Sequence, residues 1–242
     1  MASQSTASQA TAAHAGPAPA LSPAAAAKAM AAVAPSDMEL AALISSKICH
    51  DVIGPVGAIG NGFQILDEDK DEDQRNHALD VIRNVAEQAS AKLQFARFAY
   101  GAVGSAGATI DLQTAQQISR GIVEQGKHRL RWEGPPGQMS KDKVKLLLNM
   151  IASAITALPR GGDISVKIAG GHEHPQFLIR CAGTGARPPH HLGEFLAGIV
   201  TEPLHALTIQ PYYTYRLALL CAMKLEVVKD GADIIVQAAA MS

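Results

Sequence analysis

Cysteine is scarce in this chain: Cys49, Cys181 and Cys221 are the three in 242 residues. An odd number in well-separated apolar settings argues against a disulfide framework and for reduced intracellular thiols, so a cytoplasmic protein is expected. Net charge is nearly absent, with 21 basic against 22 acidic side chains, and nothing in it marks a nucleic-acid or membrane-surface binder. No uninterrupted apolar run approaches the roughly 20 residues of a membrane-spanning helix. The N-terminus lacks the basic start and apolar core of a signal peptide, Lys28 being its one basic residue before Pro35. P-loop, nucleophile-elbow and zinc-ribbon spacings are missing as well.

Residues 1–35 are mostly Ala, Ser, Gln, Thr and Pro with no acid and no aromatic. Such a composition cannot bury enough apolar surface to offset the entropy of ordering, and it reads as a disordered tail. Order is expected from Ser36, which forms a capping box with Glu39 three residues on. Leu40, Ile44, Ile48, Val52, Val56, Ile59, Phe63 and Leu66 then follow at spacings of three and four, predicting a long helix that the polar run Asp67 to Asn76 ends. Ala78, Val81, Ile82, Val85, Ala89, Leu93, Ala96 and Tyr100 predict a second, to about residue 101. Together they make an antiparallel hairpin, residues 36–103. One hairpin has little to bury its stripe against, so a second copy completing a four-helix bundle, a homodimer, is expected.

The small-residue stretch Gly101 to Ala108 contains a linker, residues 104–108; its G-x-x-G-x-x-G spacing differs from a dinucleotide loop. Residues 109–242 alternate. A short strand leads to a helix capped by Asp111 and running to about Gln125; the strand at His128–Gly134 is ended by Pro-Pro-Gly. An apolar helix capped by Ser140 spans Lys141 to Leu158, and a hairpin of strands follows over 159–183. A helical segment near His191 to Ile199, a helix Tyr213 to Met223 and two last strands turning at Asp230-Gly231 complete the chain. The expected fold class is α + α/β, a long helical hairpin followed by an α/β sandwich whose helices cover one face of a mixed sheet.

At 100° per residue, His50 lies about 200° from both Ile48 and Val52 and so points away from the apolar stripe. Ser46, Lys47, Ile53 and Gly54 share its side, followed by Gly57 and Asn61. Gly54, Gly57 and Gly60 strip side chains from this surface and would let another protein approach; a close helix crossing would use such glycines equally well. Pro55 has no N–H and its ring presses on the carbonyl of Asp51, so a bend is expected one turn after the histidine. Taken alone, an outward histidine is a solvated polar residue.

The run H-D-V-I-G-P-V-G-A-I, His50 to Ile59, resembles the phosphoacceptor box of histidine kinases. The order of parts agrees over residues 36–242, and the second domain resembles the kinases' ATP-binding domain in degenerate form. Ser153 stands where that resemblance calls for a Mg²⁺-binding Asn, Cys181 replaces the adenine-reading aspartate, and Thr214 and Arg216 replace glycines that admit the phosphates. ATP use is therefore not expected, nor any cofactor or metal on this chain. The whole pattern, including SSKICHDVIGPVGAIGNG and IQPYYTYRLALLCA, resembles the alphaproteobacterial histidine phosphotransferases.

That resemblance implies a phosphorelay intermediate. His50 would accept a phosphoryl group from the receiver domain of a CckA-like hybrid histidine kinase and pass it to CtrA-like and CpdR-like response regulators in cell-cycle control, with Mg²⁺ held by the partner receiver. Asp51 is the supporting residue, as orienter or proton acceptor, although neighbours on a helix diverge by 100° and Asp51 could meet the receiver instead. Ser46, Lys47, Ile53, Gly54, Gly57 and Asn61 form the implied receiver-docking surface, with Lys47 either steering the receiver or simply solvated. Gly54 has no polar group to position water, so weak phosphatase activity is expected. Two other functions fit the residues: an ATP-dependent histidine kinase with divergent boxes, and a non-catalytic dimeric receiver-binding adaptor. His172 and His174 read as a hairpin tip, His190-His191 as lacking nearby carboxylates, and Cys49 as packing at the bundle's edge.

Overall fold

The computed structural model describes residues 34–68, 71–102, 107–199 and 203–241; the expected tail up to residue 33, residue 103 at the end of the expected hairpin and residues 104–106 of the expected linker lie outside these. Helix α1, Asp37–Glu68, starts at the capping box. The Glu39 N–H donates to Ser36 Oγ at 3.3 Å and the Ser36 N–H to Glu39 Oε2 at 2.9 Å. The Ser36 hydroxyl, donating to the same carboxylate, holds Glu39 below its usual range.

Helix α2, Glu72–Ala99, begins inside the polar run that the apolar pattern assigns to a turn. Asp71 caps it by accepting from the Asp73 N–H at 2.9 Å, and Glu72 and Asp73 face the positive end of the helix. Caps and dipoles start a helix before its apolar face begins.

The glycines of α1 divide in two. Gly62 faces α2, where a Cβ would meet Ile82 Cγ1 at 2.5 Å, whereas a Cβ on Gly54, Gly57 or Gly60 would meet nothing within 4 Å. Close crossing explains the first, and cleared surface describes the others.

Strand β1, Thr109–Asp111, pairs antiparallel with β3, Gln138–Ser140, a short strand the sequence pattern does not predict. Between them lie α3, Leu112–Val123, and β2, His128–Glu133. Asp111 caps α3, accepting from the Gln113 N–H at 2.7 Å. Ser140 precedes α4, Lys141–Ala157, but makes no side-chain cap bond because it closes β3.

The rest comprises β4 (Gly162–Ala169), β5 (Gln176–Ala182), α5 (His190–Leu196), α6 (Ile209–Leu220), β6 (Met223–Asp230) and β7 (Asp233–Ala240). Strand order is β2-β4-β5-β7-β6, with β2 and β4 parallel across the α4 crossover and the other pairs antiparallel. In register, Ile164, Cys181 and Ile234 lie side by side and buried, as do Val166, Ile179 and Val236. Period-2 burial of this kind gives the sheet its helix-covered face. Phe95 and Ala99 of α2 belong to the same buried cluster, so the hairpin's end and the α/β part share one core.

Other boundaries also differ from the sequence expectation. Helix α6 starts at Ile209 rather than Tyr213, because Pro211 falls in its first turn, where a missing N–H costs no intrahelical bond. Helix α5 stops at Leu196 rather than Ile199. The last hairpin turns on Gly231 and Ala232, since Asp230 still pairs with Asp233; Gly231 takes φ +61°, which glycine adopts without strain.

Candidate functional site

His50 stands on α1 with its side chain 57 % exposed. Its Nδ1 lies 3.4 Å from Asp51 Oδ1, at the outer edge of hydrogen-bond reach. The expected divergence of adjacent helix side chains is thus overcome by their rotamers, which lean the two groups together. With the proton on Nδ1, that N–H donates to the carboxylate and Nε2 keeps its lone pair for attack.

Asp51 is itself held. Lys47, one turn earlier, places Nζ 2.5 and 2.6 Å from its two oxygens, and the lysine side chain is only 17 % exposed. Lys47 is therefore neither solvated nor a free cation beside the histidine. A third contact comes from across the hairpin, where Lys92 Nζ donates to the Asp51 carbonyl at 3.1 Å. Helix α1 runs unbroken through Pro55.

The other residues of this surface are exposed. Ser46, Ile53, Gly54, Gly57 and Asn61 all lie open, as does Cys49. A cavity of about 510 Å³ opens on the Asp51 side, between the hairpin and the α/β part, lined by Lys47, Lys92, Tyr100, Arg187, His191 and Gln210 among others.

The four positions that depart from the nucleotide boxes are distributed differently. Ser153 and Thr214 are buried and face each other across α4 and α6 through Gln210. Gln210 Nε2 donates to the Asn149 carbonyl and to Thr214 Oγ1, both at 2.9 Å, and lies 3.4 Å from Ser153 Oγ. Ser153 Oγ donates to the Asn149 carbonyl at 3.1 Å, and Asn149 Nδ2 reaches the carbonyls of Lys145 at 2.9 Å and Ala99 at 3.2 Å. A buried polar knot thus joins α4, α6 and the end of α2. Cys181 is buried in β5, and burial pushes its thiol up to about 12. Arg216 donates to the Tyr212 hydroxyl at 3.0 Å.

Sequence patterning does not single out Lys92, Asn149 or Gln210, because each acts on a group remote in sequence. It also misses Glu194. His190-His191 does have a nearby carboxylate, since the two Nδ1 atoms lie 3.4 and 3.3 Å from Glu194 Oε2, four and three residues on along α5. His172 and His174 stay apart in role: His172 Nε2 contacts the Pro136 carbonyl at 3.1 Å at the β4–β5 tip, and His174 is exposed.

Comparison with known proteins adds to this geometry. Residues 112–233 match the histidine phosphotransferase C-terminal domain. Protein phosphotransferase ChpT of Brucella abortus (strain 2308) is 42 % identical over 205 residues, 84 % of this chain and 96 % of that protein. The chain belongs to the histidine phosphotransferase family. A solved bacterial phosphotransferase is 40 % identical with a TM-score of 0.80, covering 85 % of this histidine phosphotransferase and 98 % of its own chain. The phosphotransferase is accordingly an enzyme of a phosphorelay, built as a helical hairpin joined to an α/β sheet domain. Ser153, Cys181, Thr214 and Arg216 all fall within the matched 112–233 segment.

Proposed function

We propose that His50 is the phosphoacceptor, relaying a phosphoryl group between aspartates of receiver domains. The observation that carries this reading is the pairing of an exposed imidazole with Asp51 at 3.4 Å, beside surface that Gly54 and Gly57 leave clear. The Nε2 lone pair attacks the phosphorus of a receiver aspartyl phosphate in line; the N–P bond forms as the P–O bond breaks, and the aspartate leaves as a carboxylate. The ring becomes positive as it bonds, and the Asp51 carboxylate at Nδ1 offsets that charge. The reverse sequence, on a second receiver, returns the ring to neutrality. Mg²⁺ belongs to the receivers, where it offsets charge on the transferring group.

The donor in this reading is the receiver of a CckA-like hybrid kinase and the acceptors are CtrA-like and CpdR-like regulators, docking over Ser46, Ile53, Gly54, Gly57 and Asn61. The protein works in the cytoplasm as a homodimer. Cys49, Val56 and Phe63 on α1 and Leu79, Ala86 and Leu93 on α2 recur every seven residues and are all exposed, a seam suited to a second copy. Although α1 has the length and apolarity of a membrane-crossing helix, two apolar faces, one toward α2 and one toward a partner hairpin, account for both.

ATP has no part in this reading. The Gln210 knot supports that, since it spends Ser153 and Thr214 on each other's neighbours rather than on a ligand. Gly54 offers no group to position water, which supports a long-lived phosphohistidine.

The test is transfer from a phosphorylated receiver to the wild type and to His50→Gln. Label on the wild type alone is expected. Equal labelling of the glutamine variant sinks the assignment, and receiver binding without any labelling would make the protein an adaptor.

A further inference from the structure

Pro55 sits inside α1 without ending it. In a regular helix the N–H of residue 55 would donate to the carbonyl of residue 51, and proline has none to give. Asp51 therefore carries an orphaned backbone acceptor in the same residue whose carboxylate meets His50. Lys92 occupies that acceptor: its Nζ reaches the Asp51 carbonyl at 3.1 Å from α2, 41 residues away in sequence, and the side chain is half-buried. The Asp51 carboxylate is meanwhile held by Lys47 on the opposite, N-terminal side of its turn. Backbone and side chain of Asp51 are each fixed by a different ammonium.

We infer that Lys92 is a positioning residue for phosphoryl transfer: it replaces the hydrogen bond that Pro55 removes, and so fixes the turn carrying His50 and Asp51. The inference rests on His50 being the phosphoacceptor. The Lys92 ammonium makes its hydrogen bond to the Asp51 carbonyl, so its influence passes through the backbone of residue 51. A loosened carbonyl lets the turn rock, and a near-attack geometry tolerates little displacement of the attacking nitrogen. The pairing also explains why a helix-weakening proline is compatible with the site: the freed carbonyl binds α1 to α2 at the level of the reaction.

A double-mutant cycle tests this in the full chain, with a phosphorylated receiver domain as donor. Lys92→Met is expected to lower kcat about tenfold, the order of losing one hydrogen bond to a charged group, with KM for the receiver held within about twofold. Melting temperature and the final labelling of His50 per chain should stay near wild type. In the Pro55→Ala background, residue 55 regains an N–H for the Asp51 carbonyl, and the same Lys92→Met change should cost under about threefold. Lys92→Arg should recover part of the rate. Equal losses in both backgrounds, no loss in either, or a loss that merely tracks a reduced fraction of labelled chain each overturn the inference. His50→Gln run alongside separates the two readings, because labelling of that variant defeats the phosphoacceptor assignment whatever Lys92 does.

Discussion

At the scale of single residues, the three thiols show how burial sets chemistry. Cys49 is exposed on α1, next to His50, while Cys181 lies buried in β5 and Cys221 half-buried after α6. Burial pushes Cys181 up to about 12 and Cys221 up to about 11. Iodoacetamide at pH 8 is therefore expected to leave Cys181 unmodified in the native protein and to modify all three thiols after denaturation, read by mass spectrometry; native labelling of Cys181 would contradict its burial. The same thiols make alkali destabilising. Above the ordinary thiol pKa near 9 the unfolded chain gives up a proton that folded Cys181 retains, so stability should fall between about pH 9 and pH 12, and Cys181→Ala should flatten that fall in urea titrations. The outward pointing of His50 was legible from the 100° step alone. Its contact with Asp51 was not, because phasing locates Cβ vectors while the meeting is made by side-chain torsions. Lys92 was illegible for another reason: its partner is a backbone atom that a proline 37 residues earlier in the chain had set free.

At the scale of elements, helix α1 carries two opposite uses of glycine, and mutation should separate them. Gly62→Ala drives a methyl to 2.5 Å from Ile82 Cγ1 and should cost about 1–3 kcal/mol in urea unfolding as the α1–α2 crossing widens. Gly57→Ala meets nothing within 4 Å and should add up to about 1 kcal/mol through helix propensity while weakening receiver binding. A stabilising Gly62→Ala would refute the close crossing. Element type and order were largely readable here, since apolar periodicity, Asp111 and the Ser36–Glu39 box are local signals. Boundaries failed where a different signal decided them. Polar capping at Asp71 brought α2 forward into a charged run, Pro211 fitted a first turn instead of preventing it, and β3 exists only because β1 offers a ladder.

At the scale of the whole molecule, Phe95 and Ala99 put the end of the hairpin into the core of the sheet domain, and Asn149 fastens it there through the Ala99 carbonyl. Circular dichroism and tryptophan fluorescence, the latter reporting Trp132 in β2, should thus follow one urea transition; two separated transitions would show the hairpin unfolding by itself. Dimer formation belongs to the same scale. Placing lysine at both Val56 and Phe63, 54 % and 53 % exposed in the single chain, should turn a dimer into a monomer in analytical ultracentrifugation, with Gly62 and the α/β core undisturbed. These long-range unions were the least legible part of the sequence, for a core shared by residues 95 and 236 has no periodicity to announce it.

The Gln210 knot has a consequence for how any small molecule would meet this protein. Separating α4 from α6 there unmakes the buried 2.9 Å hydrogen bond from Gln210 Nε2 to the Asn149 carbonyl and the same amide's 3.4 Å contacts with Asn149 Oδ1 and Ser153 Oγ; if water replaces them imperfectly, the opening costs on the order of 2 kcal/mol. Such a gap leaves roughly one molecule in 30 open at any moment, and a ligand that needs the open form has its apparent dissociation constant raised by the same factor. Gln210→Ala would lift that penalty. A nucleotide that binds the alanine variant and passes the wild type by would reveal a vacancy held shut by a single amide.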